Sequence, residues 1–142
     1  MYRVEKKFSL PIGHRLSKHA GRCSSIHGHN FSVHVGVKAE ELNKNDMVID
    51  FSDLKNFVNE ILDEFDHCLV LNKTDLRLQQ SLKSCGMRTI LLTNDPTAER
   101  LSELIYQKLV LKFALSEKHQ RLQMDYVIVY ENENSKATYT QE

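Results

Sequence analysis

Tyr2, Val4, Phe8 and Leu10 alternate with Arg3, Glu5, Lys7 and Ser9 along the first stretch of the chain. A period of two gathers apolar side chains on one face of an extended backbone, so a half-buried strand is predicted from Tyr2 to about Pro11. The alternation returns from about His27 to Lys38: His27, His29, Phe31, Val33, Val35 and Val37 share one face, and Asn30, Ser32, His34 and Lys38 the other. The spacing then lengthens. Phe51, Leu54, Phe57, Val58, Ile61, Leu62 and Phe65 recur with a helical period, and Asp50 or Ser52 is placed to cap the first turn. After Asp66-His67-Cys68 comes a short apolar stretch, and residues 72–88 read as a loop holding one helical turn. Thr89 to Leu92 predicts a short strand. Asn94-Asp95-Pro96-Thr97 marks a helix start with Asp95 as its cap and Pro96 at the first helical position. Ala98, Leu101, Leu104, Ile105 and Leu109 then form its apolar stripe to about Phe113. Val127 and Val129 begin a strand that reaches Glu131, and a polar turn from Asn132 to Ser135 leads to a last strand near Thr138 and Tyr139. Strands before and after a pair of helices predict an α+β fold with antiparallel hairpins.

Composition narrows the classes. A chain of 142 residues is the size of one domain, taken here as 1–142, and 41% hydrophobic residues supply an ordinary core. Nineteen Lys and Arg balance nineteen Asp and Glu, so there is no basic footprint for nucleic acid or an anionic membrane. No apolar run approaches the roughly 18 residues that span a bilayer. The first residues alternate in polarity and offer no apolar leader segment. Three cysteines, Cys23, Cys68 and Cys85, are an odd number, and in a chain without such a leader they read as reduced, cytoplasmic thiols.

The chemistry concentrates at Cys23-Ser-Ser-Ile-His27-Gly-His29, with His14 upstream. Two imidazoles at i and i+2 project from the same face of a strand, and His14 from a separate segment completes a set of three nitrogens. Three protein ligands with one open position mark a catalytic zinc site. Copper, iron and nickel also accept imidazole, but zinc suits an all-imidazole set best. Against this stands the plainer possibility that His27 and His29 are ordinary strand residues and His14 a turn residue. Cys23 is within reach as a base or nucleophile; a fourth, closing zinc ligand and an inert loop thiol are the alternatives. Arg22 beside it and a nearby cation favour the thiolate form. Asp66-His67 reads either as a carboxylate orienting an imidazole for proton transfer or as a helix end stabilised by a cationic histidine. Glu131 continues the inward face of Val127 and Val129, and a carboxylate there needs a partner rich in N–H donors. Glu133 has the same parity and is its rival. His19, His34 and His119 lack such context, and Cys68 and Cys85 default to small packed thiols.

Taken together, five ordered motifs and the Gly13-His14-Arg15 segment resemble the 6-pyruvoyltetrahydropterin synthase and 6-carboxytetrahydropterin synthase family. They are Cys23 through Asn30; Met47-Val48-Ile49-Asp50-Phe51 with Leu54-Lys55; Phe65-Asp66-His67 with Leu71-Asn72; Pro96-Thr97-Ala98-Glu99; and Val127-x-Val129-x-Glu131. The three residues between Cys23 and His27 are similar to the bacterial carboxytetrahydropterin branch, whereas animal pyruvoyl enzymes typically have a longer gap. The segment from Asp75 to Arg88 is longer than in compact relatives. The resemblance implies zinc on His14, His27 and His29, Cys23 as general base, and Asp66 and His67 as its proton-relay partners. It implies Glu131 as anchor for the pterin N–H groups, with Thr97 near the ring. The implied fold is the tunnelling fold: an antiparallel four-stranded sheet with two helices on one face, joined into a barrel in a homohexamer of two trimers. Active sites between subunits would draw Cys23 and His67 from different chains. The implied reaction converts 7,8-dihydroneopterin triphosphate to 6-carboxy-5,6,7,8-tetrahydropterin, acetaldehyde and triphosphate on the way to queuosine. A pyruvoyl synthase that eliminates triphosphate is the near alternative, and a non-catalytic zinc-stabilised binding module the distant one. Phosphates need cations, and Lys18, Arg22, Arg77 and Arg88 are the candidates.

Overall fold

β1 (Tyr2–His14) and β2 (His27–Ala39) pair antiparallel from end to end, with Tyr2 opposite Ala39 and His14 opposite His27. The computed structural model describes residues 1–141. β1 runs past Pro11 because its third-strand neighbour bonds it only at Gly13 and His14, so the missing proline N–H faces no ladder partner. The Pro11 carbonyl on that edge accepts from the His67 N–H at 2.9 Å.

The chain continues through α1 (Phe51–Leu62), β3 (Leu69–Asn72), α2 (Leu76–Ser84), β4 (Thr89–Leu92), α3 (Ala98–Ala114), β5 (Gln123–Asn132) and β6 (Ser135–Tyr139). The sheet order is β4-β3-β1-β2-β5-β6. β1, β2, β5 and β6 are the four antiparallel strands expected, and α1 and α3 the two helices. β4 is the short strand expected at Thr89–Leu92, and the structure corrects the four-stranded sheet with two helices beyond it: β3 and β4 extend the sheet to six strands by parallel pairing, and α2 is a third helix. All four residues of β3 are buried. A strand covered on both faces loses the polar-apolar alternation by which strands are recognised. α2 fails in the opposite sense, since none of its residues is buried and packing leaves little stripe to read. Its stop is nonetheless written in the chain. Gly86 has φ +68°, Met87 N–H bonds the Leu82 carbonyl and Gly86 N–H the Lys83 carbonyl, a Schellman cap that favours glycine at its left-handed position.

The core lies between the sheet and the pair α1 and α3. Phe8, Leu10 and Ile12 from β1 and Phe31, Val33, Val35 and Val37 from β2 meet Leu54, Val58 and Ile61 of α1 and Leu101, Ile105 and Leu109 of α3. Asp50 caps α1, its carboxylate accepting the Ser52 N–H at 2.7 Å, and the helix closes at Leu62 rather than Phe65, with turns carrying the chain to His67. Thr97, not Asp95, caps α3 by accepting the Arg100 N–H at 3.3 Å. Asp95 is drawn instead into a buried network: it accepts Ser17 Oγ at 2.6 Å, Lys18 N–H at 2.8 Å and Asn72 Nδ2 at 2.9 Å. No helix among the described residues is long and apolar enough to cross a membrane.

Candidate metal centre

The last residues of β1 and the first of β2 bring three imidazoles together. His14 sits opposite His27 in the strand register, and His29 follows on the same face two residues on. Gly28 makes this pairing possible: a Cβ there would come within 3.0 Å of the Ile12 carbonyl oxygen, which is backbone and cannot yield. His14 is fully buried, and the ring centroids of the triad are 4.5, 5.2 and 5.1 Å apart. One nitrogen from each of the three lies within 4.8 Å of the others.

Hydrogen bonds behind the rings decide which nitrogens point inward. His14 Nδ1–H donates to the Pro96 carbonyl at 2.8 Å, and His27 Nδ1–H to the Ser25 carbonyl at 2.8 Å. Both Nε2 atoms are then bare lone pairs, and they face each other at 3.0 Å. Two lone pairs at that distance repel unless a cation stands between them. His29 Nε2 is buried without a hydrogen bond, its 3.4 Å approach to Glu131 Oε1 lacking the geometry of one. A buried nitrogen without a partner, in a cluster of three imidazoles, is what a metal resolves. Burial, opposed by the Pro96 bond, holds the His14 pKa below its ordinary value, and the neutral ring is the ligating form. The donor set fits a metal ion.

Cys23 lies outside this cluster. It is half-buried in a 3-10 turn over Arg22–Ser24, where its carbonyl accepts the Leu16 N–H at 2.9 Å. Cys68 is buried and Cys85 exposed, and none of the three is paired. Glu131 stands beside His29, as the parity of β5 predicts; Glu133 is exposed beyond the strand. Thr97 follows the Pro96 carbonyl that fixes His14. His19, His34 and His119 take local partners away from the triad.

Asp66 and His67 form a dyad, with His67 Nδ1–H donating to Asp66 Oδ1 at 2.7 Å. The His67 backbone has φ +57°, a left-handed conformation rare for a non-glycine residue and often found at functional sites. Its side chain opens into a cavity of about 580 Å³ on the floor made by Pro11, Gly13, Gly28 and Asn30, with Ile12 and His29 completing the strand segments. Pro11, Gly13, Gly28 and Asn30 alternate away from the triad. The structure therefore sets triad and dyad on opposite faces of one sheet. The carbonyls of Pro96 and Ser25, which orient the ligands, escaped the sequence; only the neighbouring Asn94-to-Thr97 helix start hinted at the first.

An α+β fold with three clustered imidazoles, close enough together to hold a metal ion, defines the class. The sequence profile of the 6-pyruvoyl tetrahydropterin synthase family matches residues 3–142, and the chain belongs to that family. A protein of Haemophilus influenzae named 6-carboxy-5,6,7,8-tetrahydropterin synthase is 34% identical over 116 residues, covering 77% of this chain and 82% of its own. One of the same name from Aquifex aeolicus is 25% identical over 99% of both chains. Among solved structures, an uncharacterised Wolinella succinogenes protein superposes with TM-score 0.83 at 19% identity, over 99% of this chain and 98% of its own. The 6-pyruvoyl tetrahydropterin synthase of Caenorhabditis elegans does so with TM-score 0.70 at 20% identity, over 99% and 96%. These two likenesses concern the fold.

Proposed function

We propose that the protein is a zinc-dependent lyase that converts 7,8-dihydroneopterin triphosphate and one water to 6-carboxy-5,6,7,8-tetrahydropterin, acetaldehyde and triphosphate, in queuosine biosynthesis. The observation that carries the reading is the convergence of three imidazole nitrogens in a cluster that leaves Cys23 free. The names of relatives at 25–34% identity support the carboxy product.

Zinc is the metal of choice for three neutral imidazoles. Bound there, it supplies a Lewis acid that polarises the side-chain oxygens of the substrate and acidifies the C–H and O–H groups beside them. The Pro96 and Ser25 carbonyls keep His14 and His27 in the ligating tautomer. Cys23 takes the proton from carbon. Asp66 fixes the His67 tautomer, so that the other ring nitrogen is available to deliver or accept a proton. Glu131 accepts the amino and ring N–H groups of the pterin, and Thr97 borders that ring. With triad and dyad on opposite faces, His67 of one copy serves the metal of another. A homohexamer of two trimers, its sheets joined into a barrel, supplies that geometry. Three unpaired thiols suit a cytoplasmic setting.

Incubating the purified protein with 7,8-dihydroneopterin triphosphate and weighing the products by mass spectrometry tests the reaction. Acetaldehyde together with the 6-carboxy pterin is expected. Loss of triphosphate with the carbon side chain intact would assign the chain to the pyruvoyl reaction instead. No consumption of substrate by metal-loaded protein would leave a zinc-stabilised binding module.

A further inference from the structure

The cavity that receives His67 has a charge character of its own. Its lining is largely apolar, with Ile26, Leu69, Leu82 of α2 and Met87 of its cap, and among the described residues no carboxylate lines it. Arg88 is the one arginine or lysine in its lining. The chain's other arginines are either engaged or elsewhere. Arg3 pairs with Asp125, Arg15 with Asp75 and Arg100 with Glu103, while Arg121 donates to the carbonyls of Glu41, Met47 and Val48. Arg22, Arg77 and Lys18 do not line the cavity. Among the described residues Arg88 has no carboxylate partner. Its guanidinium makes one bond, Nη1 to the Asp66 carbonyl at 3.4 Å, which ties it to the dyad. Its backbone is fixed from both directions: Leu69 N–H bonds the Arg88 carbonyl at 3.0 Å, and the left-handed Gly86 turns the chain from α2 back over the cavity. A guanidinium held this way has most of its donors unspent, in a fork that matches phosphate oxygens.

We infer that Arg88 is the cation that holds the phosphate tail of the substrate, making it a specificity-determining residue supplied by the segment 75–88. The inference rests on the proposed reaction for the identity of the phosphate ester, and on the shared cavity for the rest. A substrate reached by His67 is also within the walls that carry Arg88. If one copy's dyad serves another's metal, Arg88 crosses with it.

The test compares the wild type with R88A and R88K, using 7,8-dihydroneopterin triphosphate as substrate and inorganic tripolyphosphate as probe. Losing a charge-assisted bidentate contact corresponds to about a ten- to hundredfold effect. R88A should raise KM by that factor while kcat stays within about threefold, and R88K should recover part of the loss. Inhibition by tripolyphosphate should weaken in parallel. An unchanged KM and unchanged tripolyphosphate inhibition in R88A would overturn the assignment while leaving the reaction standing. If the wild type turns over no dihydroneopterin triphosphate, the reaction fails, and calorimetric titration with tripolyphosphate decides Arg88 separately: binding lost in R88A upholds the anion site, equal binding removes it. Should R88A unfold, R88Q, which keeps a donor for the Asp66 carbonyl but no charge, takes its place in every arm.

Discussion

Cys23 and His27 stand four residues apart, and truncating each should have a different signature. His27 contributes a lone pair to the triad, held inward by its Nδ1 bond to Ser25. Cys23 contributes no ligand atom to that cluster. C23A is therefore expected to keep its zinc and its circular dichroism while turnover falls by about a hundred- to ten-thousandfold, the range for loss of a general base. H27A should lose zinc and turnover together, because two imidazoles hold the ion far less tightly than three. Metal stoichiometry by elemental analysis alongside initial rates separates the two. Zinc lost from C23A would make the sulfur a ligand and the site a closed one.

At the scale of elements, Asp95 links three parts of the fold: the loop after β1, the end of β3 and the entry to α3. Burial pushes its carboxyl up, but bonds from Ser17, the Lys18 N–H and Asn72 outweigh that and hold it below its ordinary value of 3.8. A carboxyl lowered in the folded state adds stability that is complete above its unfolded pKa and drains away as pH falls through the folded one. D95A should thus cost about 2–3 kcal/mol near neutrality. The gap between wild type and variant should shrink as the medium is taken below about pH 4. Denaturant titrations at several pH values check this, and a gap that stays constant into acid would mean the charge contributes nothing. Because Pro96 follows directly, the variant should also hold metal less tightly. The sequence placed Asp95 as a helix cap; several donors converging from distant segments outcompete one local N–H, and no local pattern records them. β1, β2, α1, α3 and β5 were legible because each buries one side, and a one-sided element keeps its period. β3 and α2 sit at the two extremes of burial, where period vanishes. The triad was legible because His-Gly-His on a strand fixes direction by parity alone. Its supporting carbonyls were not, since backbone oxygens have no letter in the sequence.

At the scale of the whole molecule, the sheet separates triad from dyad. If the working site draws on both through two copies, defects in C23A and H67A are complementary. Mixing the two inactive variants, after mild dissociation and reassembly, should restore activity at about a quarter of the sites, the share that random pairing leaves with both groups intact. Activity that stays absent in the mixture, with mixed assemblies verified by mass, would place both groups in one chain. If two copies share a site in this way, catalysis becomes a matter of abundance. Diluted until the assemblies come apart, the protein should fall silent while each chain remains folded, so output would rise more steeply than in proportion to the number of chains present.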